Sequence, residues 1–231
     1  MNDSVVVPSL GKRVVRGISS VVLFVALLFV PAGRWDWVAG WAFLVFTLSS
    51  VTILSLVLRR KDPELIKERT GVAENVESWD RTILRIYGVL SIALFVVAGL
   101  DGGRFQWSSI PPTIYVLGWV SLVGASATIW WVLFTNTYTS RVVRIQEDRG
   151  HKVVTKGPYQ YVRHPMYVGV MLAVLSIPLV LGSWWALIPS AGIVVLFIVR
   201  TALEDRTLQA KLSGYSEYAE RVRYRLVPGI W

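Results

Sequence analysis

Cysteine is absent from this 231-residue sequence, and histidine occurs only twice. The lack of cysteine excludes a disulfide framework, a thiolate metal site and a cysteine nucleophile. Neither His151 nor His164 has another histidine or a carboxylate at the spacing of metal ligands, so no zinc site is predicted. No Gly-x-Gly-x-x-Gly run is present either, which argues against an enzyme that binds a nicotinamide dinucleotide.

Charged residues are also scarce. They make up 17% of the sequence, against 54% hydrophobic residues and 11 tryptophans, which is typical of an integral membrane protein. Roughly 20 apolar residues are needed to cross a bilayer core as a helix. Four apolar segments approach that length, and two shorter ones near the C-terminus flank a turn signal at 182–183. The six segments are 14–30, 37–58, 82–100, 113–134, 166–181 and 184–199.

This pattern predicts an all-α integral membrane protein with about six transmembrane helices, the last two forming a helical hairpin that only just spans. Residues 1–134 hold the N-terminal helices and connectors, residues 135–231 hold the polar, chemically capable region, and both form one structural unit. The connector 59–81 is predicted to be a solvated helix that starts at the Asp-Pro pair 62–63. Apolar and aromatic residues then recur at helical spacing near the C-terminus, which predicts a cytoplasmic amphipathic tail helix. They are Leu203, Leu208, Leu212, Tyr215, Tyr218 and Val222.

The basic residues are distributed unevenly about these segments. With six spans, 22 of the 24 Lys and Arg residues fall on the side that holds both termini. The positive-inside rule makes that side cytoplasmic. The net charge of +9 is then explained by orientation and by anionic lipid headgroups rather than by nucleic acid. Because the chain is small and shows no targeting peptide, we expect a multi-pass protein of a prokaryotic inner membrane, with lipid as its surroundings.

The densest run of chemically capable residues is the polar patch 150–169, GHKVVTKGPYQYVRHPMYVG, which holds both histidines. Its glycine–proline pair at 157–158 predicts a turn after an extended stretch. Its Arg-His-Pro run at 163–165 predicts a helix start, because proline suits the first helical position. The free N–H groups and the dipole of that helix end, with Lys156 and an arginine nearby, would stabilise an anionic ligand group.

The order of motifs in the last two fifths of the chain, 136–231, resembles the isoprenylcysteine carboxyl methyltransferase family and its phospholipid methyltransferase relatives. A glycine turn, an Arg-His-Pro run, an acidic step and a pair of tyrosines follow one another. These motifs are Gly157-Pro158-Tyr159, Arg163-His164-Pro165 with Tyr167 and Gly169, Glu204-Asp205, and Tyr215 with Tyr218. The resemblance implies a membrane enzyme that uses S-adenosylmethionine and releases S-adenosylhomocysteine.

By position, the resemblance also implies which residues bind this cofactor. They comprise a histidine-led stretch, the tyrosine after the turn, the His-Pro-x-Tyr run and a glutamate beyond the last span. These are His151, Lys152, Val153, Val154, Tyr159, His164, Pro165, Met166, Tyr167 and Glu204. Arg200, one helical turn before the glutamate, would face the substrate. A glutamine contact of the family falls on Arg144 by position, with Gln146 close by as the alternative.

The residues themselves add chemistry to this picture. Arg200 and Glu204 are four residues apart, so they share one face of a predicted helix. Glu204 can accept hydrogen bonds from ribose hydroxyls, and Arg200 can bind a substrate carboxylate through two parallel N–H bonds. The structural alternative is an ion pair between the two, worth about 0.3–0.5 kcal/mol. We predict catalytic roles for Arg200, His164 and Tyr167, of which the last two would take the proton from an amine acceptor.

The function favoured by the sequence is methyl transfer from S-adenosylmethionine to a membrane-soluble or small apolar acceptor. Arg200 favours an isoprenylcysteine-type carboxylate, while a phospholipid amine and a small thiol remain open. The alternative of another class is a non-catalytic lipid-binding protein or a small transporter. A transporter would place ionisable residues inside its spans, which are nearly free of them here. A membrane reductase of the sterol type, whose C-terminal region can look similar, would need a nicotinamide cofactor.

Overall fold

The structure is a computed structural model that describes residues 10–71 and 76–231, without the side chains of residues 10, 12–14 and 16. Its regular elements are helices, and the described chain contains no β-strand. The helices are α1 (Leu10–Ala32), α2 (Val38–Lys61), α3 (Pro63–Thr70), α4 (Ser78–Ala98), α5 (Pro112–Thr135), α6 (Pro165–Leu181), α7 (Leu187–Lys211) and α8 (Tyr215–Arg221). A π-helical stretch, Gly99–Phe105, continues α4, and two 3-10 turns, Glu147–Arg149 and Gly157–Gln160, lie between α5 and α6.

Four helical segments are long and apolar enough to cross a membrane, namely α2, Ser78–Phe105, α5 and α7. Two shorter apolar helices, Gly17–Ala32 within α1 and α6, accompany them. The predicted all-α, multi-pass membrane architecture is confirmed at this level, and the count of six spans stays a prediction. The cytoplasmic orientation stays a prediction as well, and three of the basic residues on which it rests have side chains outside the described residues.

The long helices alternate in direction, so their polar ends gather at two opposite ends of the bundle. One end, which we call the site end, holds the C-terminal ends of α2 and α5, the starts of α4 and α6, and the last turns of α7. The contacts Lys61–Phe134, Asp80–Arg200 and Tyr167–Glu204, with the packing of Leu133 and Met166 in one cluster, bring these ends together. The most extensive packing is between α5 and α6 and between α4 and α7. Gly169 lies where α6 meets α5, and a Cβ there would approach Ile129 Cγ1 to 2.8 Å. This close approach brings the segment that follows α5 against the start of α6.

The opposite end of the bundle is fastened by a buried carboxylate. Asp101, in the π-helical stretch, accepts hydrogen bonds from the hydroxyls of Ser108 and Ser183, both at 2.6 Å. The Ser108 hydroxyl in turn accepts from the backbone N–H of Trp184 at 2.9 Å. These bonds tie the end of α4 to the α6–α7 turn, where Gly182 adopts a left-handed φ of +81°. The turn that the sequence predicted at 182–183 is therefore present.

The C-terminal part differs from its prediction in two ways. First, α7 has 25 residues and is one of the four candidate spans, whereas the sequence predicted a short segment that ended at residue 199. Second, the tail is not one amphipathic helix, because α7 ends at Lys211 and α8 starts only at Tyr215. Gly214 turns the chain between them with a φ of +80°, which breaks the helical spacing. The apolar spacing of the tail therefore belongs to two helices.

The connector between α2 and α4 begins as predicted. Asp62 precedes α3, and its side chain accepts a hydrogen bond from the Leu65 N–H at 2.9 Å, with proline in the first turn. The connector is not simply solvated, however. Asp80 is fully buried, and the Glu68 side chain is 10% exposed because it pairs with Arg144. These acids attach the connector to the polar segment after α5.

Candidate functional site

A pocket at the site end of the bundle collects most of the residues predicted to bind the cofactor. Its empty volume is about 820 Å³, including space that is open to solvent. Nine of the ten predicted cofactor residues line it, and Pro165 alone of the ten does not, because it lies buried in the first turn of α6. The nine are His151, Lys152, Val153, Val154, Tyr159, His164, Met166, Tyr167 and Glu204. The structure thus brings the Arg-His-Pro helix start and the glutamate of α7 to one cavity.

Twelve residues besides the predicted cofactor residues line the same pocket. The segment after α5 contributes a polar wall, and the ends of α7 and α8 contribute apolar and aromatic side chains. They are Asn136, Tyr138, Thr139, Ser140, Val142, Val143, Arg144, Arg163, Leu208, Leu212, Tyr215 and Tyr218. The family motif order signalled the tyrosine pair.

Glu204 is the one acidic residue among those that line the pocket in the described part of the chain. The Tyr167 hydroxyl donates a short hydrogen bond to its Oε2. The ring of Tyr167 lies parallel to the ring of His164, with 5.8 Å between their centroids. Glu204, Tyr167 and His164 therefore form a continuous polar and aromatic surface between α6 and α7.

Asp205, next in the sequence, serves a different purpose. It is fully buried and accepts hydrogen bonds from Tyr215 Oη at 3.0 Å and Arg225 Nε at 2.9 Å. His164 Nε2 lies 3.2 Å from its Oδ1, and Gln209 Nε2 donates to its Oδ2 at 2.8 Å. A buried carboxylate needs such partners to offset the loss of water. Asp205 consequently holds the histidine ring and the C-terminal segment in place.

Arg200 forms its ion pair with Asp80 rather than with Glu204, and it is not among the residues that line the pocket. Its Nε and Nη2 donate to the two carboxylate oxygens of Asp80, at 2.8 and 3.1 Å, and it is only 5% exposed. Its guanidinium carbon lies 5.2 Å from the ring centroid of Tyr167. Neither alternative drawn from the four-residue spacing included this partner, because Asp80 lies 120 residues away in the sequence. The role predicted for Arg200 stays a prediction.

The start of α6 is less open to an anion than its sequence suggested. The N–H groups of Arg163 and His164 donate to the carbonyl oxygens of Tyr224 and Arg225, both at 2.9 Å. The C-terminal segment thus occupies the two N–H groups that immediately precede the helix. Arg163 itself lines the pocket, and its buried Nε has no hydrogen-bond partner among the residues that the structure describes. That Nε lies 3.3 Å from Asp205 Oδ1, close enough for an ion pair but not aligned to donate. The cation that lines the pocket at this helix start is therefore the Arg163 side chain, which is ion-paired with Asp205.

The two candidates for the family's glutamine contact are placed differently. Arg144 lines the pocket and pairs with Glu68 at 2.7 Å and with Asp148 at 3.1 Å. These carboxylates raise the pKa of Arg144 above its usual range. Gln146 is 1% exposed, donates to the Tyr138 carbonyl at 2.6 Å and accepts from Arg149. Its amide is thus used within the protein, and Arg144 is the residue of the two that reaches the pocket.

His151 and Tyr159 are neutral groups in the pocket wall. Burial, followed by the charges of Arg149 and Arg144, lowers the pKa of His151 to about 4. Burial raises the pKa of Tyr159 to about 12, and its hydroxyl accepts a hydrogen bond from Asn136 at 2.7 Å. Between pH 5 and 8 both side chains therefore offer hydrogen bonds and ring faces without charge.

The lowered pKa of His151 predicts a pH dependence of stability. Since the folded pKa is below the ordinary value of about 6.5, the unfolded chain binds more protons between these values. The contribution of His151 is complete above about pH 6.5 and is lost as the pH falls toward 4. We expect His151→Gln to reduce the fall in melting temperature between about pH 7 and 4.5 by about 2–4 °C. Equal falls in both proteins would contradict this placement, and between pH 7 and 8 the two should run parallel.

Comparison with known proteins agrees with the resemblance. Residues 116–210 match the model of the isoprenylcysteine carboxyl methyltransferase family, which confirms that resemblance and indicates a membrane methyltransferase. The chain is also 29% identical over 142 residues to the cobalt-zinc-cadmium resistance protein CzcN of Cupriavidus metallidurans. This similarity covers 56% of the chain and 57% of that relative. The family match runs from α5 into α7 and so includes the Arg-His-Pro run, Arg200 and Glu204.

Proposed function

We propose that this chain, whose residues 116–210 match the isoprenylcysteine carboxyl methyltransferase family, transfers a methyl group from S-adenosylmethionine to an amphiphilic or small apolar acceptor. The observation that carries the proposal is that the start of α6 and Glu204 line one pocket at the site end. The pocket lies beside the ends of helices that are apolar enough to cross a bilayer. A water-soluble cofactor and a membrane-embedded acceptor could meet there.

The residues of the pocket fit the chemical groups of S-adenosylmethionine. Glu204 supplies the carboxylate that two ribose hydroxyls need as an acceptor. The ring faces of Tyr138 and His151 lie 4.6 Å apart by centroid and continue the apolar wall that an adenine requires. Arg163, which lines the pocket and is ion-paired with Asp205, brings a guanidinium that suits the carboxylate of the methionine part. We assign these three functions to Glu204, the Tyr138–His151 wall and Arg163.

When bound, the cofactor supplies a methyl group that its positive sulfur has already activated. The remaining tasks of the protein are to orient the acceptor and to exclude water, since alignment alone accounts for a large share of such a barrier. Tyr167 and His164 lie on the wall between the two helices that carry the pocket. A carboxylate or thiolate acceptor needs no base. An amine must lose a proton, and the Tyr167 hydroxyl, bonded to Glu204, provides a path for it.

The acceptor is proposed to enter from the side of α5. A second cavity shares Val153 and Val154 with the pocket and reaches Phe134 at the end of that helix. Phe134 is 42% exposed on the apolar surface, and Lys156 adds a cation at the rim. Arg200 no longer favours a carboxylate acceptor, because Asp80 occupies two of its donors. An isoprenylcysteine-type carboxylate, a phospholipid amine and a small thiol remain the candidate acceptors.

The test is methyl transfer by the purified full chain. We expect protein in detergent micelles, incubated with S-adenosylmethionine labelled on the methyl group and a total lipid extract, to transfer label into the organic phase. Mass spectrometry of the labelled product then separates a methyl ester, an N-methyl lipid and a thioether. The Glu204→Gln variant serves as the blank. If the protein shows no label transfer and no calorimetric binding of S-adenosylhomocysteine, the result would instead favour a non-catalytic lipid-binding protein.

A further inference from the structure

We propose that Asp80, at the start of α4, is a positioning residue that sets the geometry of the methyltransferase pocket. The inference rests on the proposed function. Asp80 lies outside residues 116–210, the part of the chain that matches the family. It is fully buried, although an aspartate in a first helical turn is ordinarily solvated. Burial of a carboxylate is costly unless several donors compensate it, and its donors here come from two different walls of the pocket.

The first wall is the segment that follows α5. The N–H of Val143 donates to Asp80 Oδ2 at 2.8 Å, and the Val143 carbonyl accepts from the Glu77 N–H at 3.1 Å. These two bonds clasp the segment to the start of α4. Val142 and Val143 both line the pocket. The position of this wall is therefore fixed by Asp80 and its immediate neighbour.

The second wall lies between α6 and α7. Asp80 binds Arg200 through both oxygens, and Arg200 lies against the ring of Tyr167 at 5.2 Å. The Tyr167 hydroxyl donates to Glu204, the acidic residue of the pocket. Each link is a direct contact, so a displacement of the guanidinium would shift the ring and then the carboxylate. Asp80 thereby acts on Glu204 without touching it.

Arg200 also joins the two walls directly. Its Nη2 donates to the Arg141 carbonyl oxygen at 3.0 Å as well as to Asp80. With Asp80 present, one neutralised ion pair holds the segment after α5, Tyr167 and the start of α4 together. Without the carboxylate, a cation that is 5% exposed would lose its ion-pair partner and would seek water. The two walls would then no longer be held at a fixed separation.

The test measures cofactor affinity per folded molecule. We expect Asp80→Asn to weaken calorimetric binding of S-adenosylhomocysteine by at least about tenfold, while the unaltered protein binds it. We also expect the variant to lose stability, so the double variant Asp80→Asn/Arg200→Gln is needed. That double variant removes both charges and leaves two amides that can bond to each other, and it should regain much of the melting temperature. It should nevertheless stay at least about tenfold weaker in binding.

The exposed ion pair Arg34–Asp36, at 2.7 Å and at the opposite end of the bundle, provides the matched control. Asp36→Asn should change neither affinity nor stability, because exposed pairs contribute little. If Asp80→Asn binds S-adenosylhomocysteine with undiminished affinity, this inference is overturned while the proposed function stands. A double variant that regains affinity together with stability would overturn it too, since the pair would then be only structural. A lack of binding by the unaltered protein would overturn the proposed function, and this inference with it.

Discussion

Replacement of Glu204 by glutamine is expected to weaken binding of S-adenosylhomocysteine by about 100-fold or more and to leave the protein folded. Glu204 is the acidic side chain that lines the pocket, and its described side-chain bond is the one from the Tyr167 hydroxyl. A hydrogen bond to a charged group contributes about 1.5–3 kcal/mol. The binding free energy lost with two such bonds to ribose hydroxyls exceeds the roughly 2.8 kcal/mol that corresponds to a 100-fold change in affinity. Glutamine keeps the shape of the side chain but loses its charge.

The measurement is calorimetric titration of the purified variant in detergent, with its melting temperature as the check on folding. Glu220→Gln is the matched control, because Glu220 is an exposed glutamate in the C-terminal part of the chain that does not line the pocket. Tyr167→Phe removes the hydroxyl donor and leaves the carboxylate, so we expect a smaller loss of about fivefold to tenfold. Binding by Glu204→Gln that equals that of Glu220→Gln would refute the assignment of Glu204.

Local sequence features predicted local structure correctly. The Asp-Pro pair at 62–63 starts α3, the Arg-His-Pro run at 163–165 starts α6, and the apolar segments correspond to helices. Each of these depends on neighbours within one or two helical turns, through proline's fixed φ, a short capping side chain or the length of an apolar run. The motif order also selected nine side chains that share one pocket. Motif order carries such information because it reflects an arrangement in space.

Long-range pairing of charges was beyond prediction. The four-residue spacing of Arg200 and Glu204 indicated a shared helix face, but the partner of Arg200 is Asp80 in another helix. Which buried cation meets which buried anion depends on helix packing, and the sequence does not encode this in any local period. The break at Gly214 was missed for a different reason. The apolar spacing of the tail continues across it, and only a glycine at a left-handed φ of +80° marks the turn.

Mutations of the two adjacent acids, Glu204 and Asp205, should affect different properties, namely ligand affinity and stability. Glu204 faces the pocket, whereas Asp205 faces the protein and has no exposed surface. Replacement of Asp205 by asparagine leaves the cations of Arg163 and Arg225 without their shared carboxylate. Removal of one partner from a buried pair costs about 3–5 kcal/mol. For a chain of this size that corresponds to a fall in melting temperature of about 10 °C.

The structure also predicts which part of the chain Asp205→Asn destabilises. Arg225 Nε bonds to Asp205 at 2.9 Å, and the carbonyls of Tyr224 and Arg225 accept the N–H groups that precede α6. Loss of the carboxylate should therefore release residues 222–231 first. We expect faster amide exchange there and at His164 in Asp205→Asn, below the temperature at which the rest unfolds.

The control for this prediction is Arg223→Gln, which removes an exposed charge two residues from Arg225. It should leave both the melting temperature and the exchange rates unchanged. If Asp205→Asn has the same melting temperature as the unaltered protein, or loses protection from amide exchange uniformly along the chain, the buried cluster around Asp205 does not hold the C-terminal segment. If it instead loses stability while Glu204→Gln does not, the two neighbouring acids divide the work: one binds ligand, and the other fixes the helix start on which that binding depends.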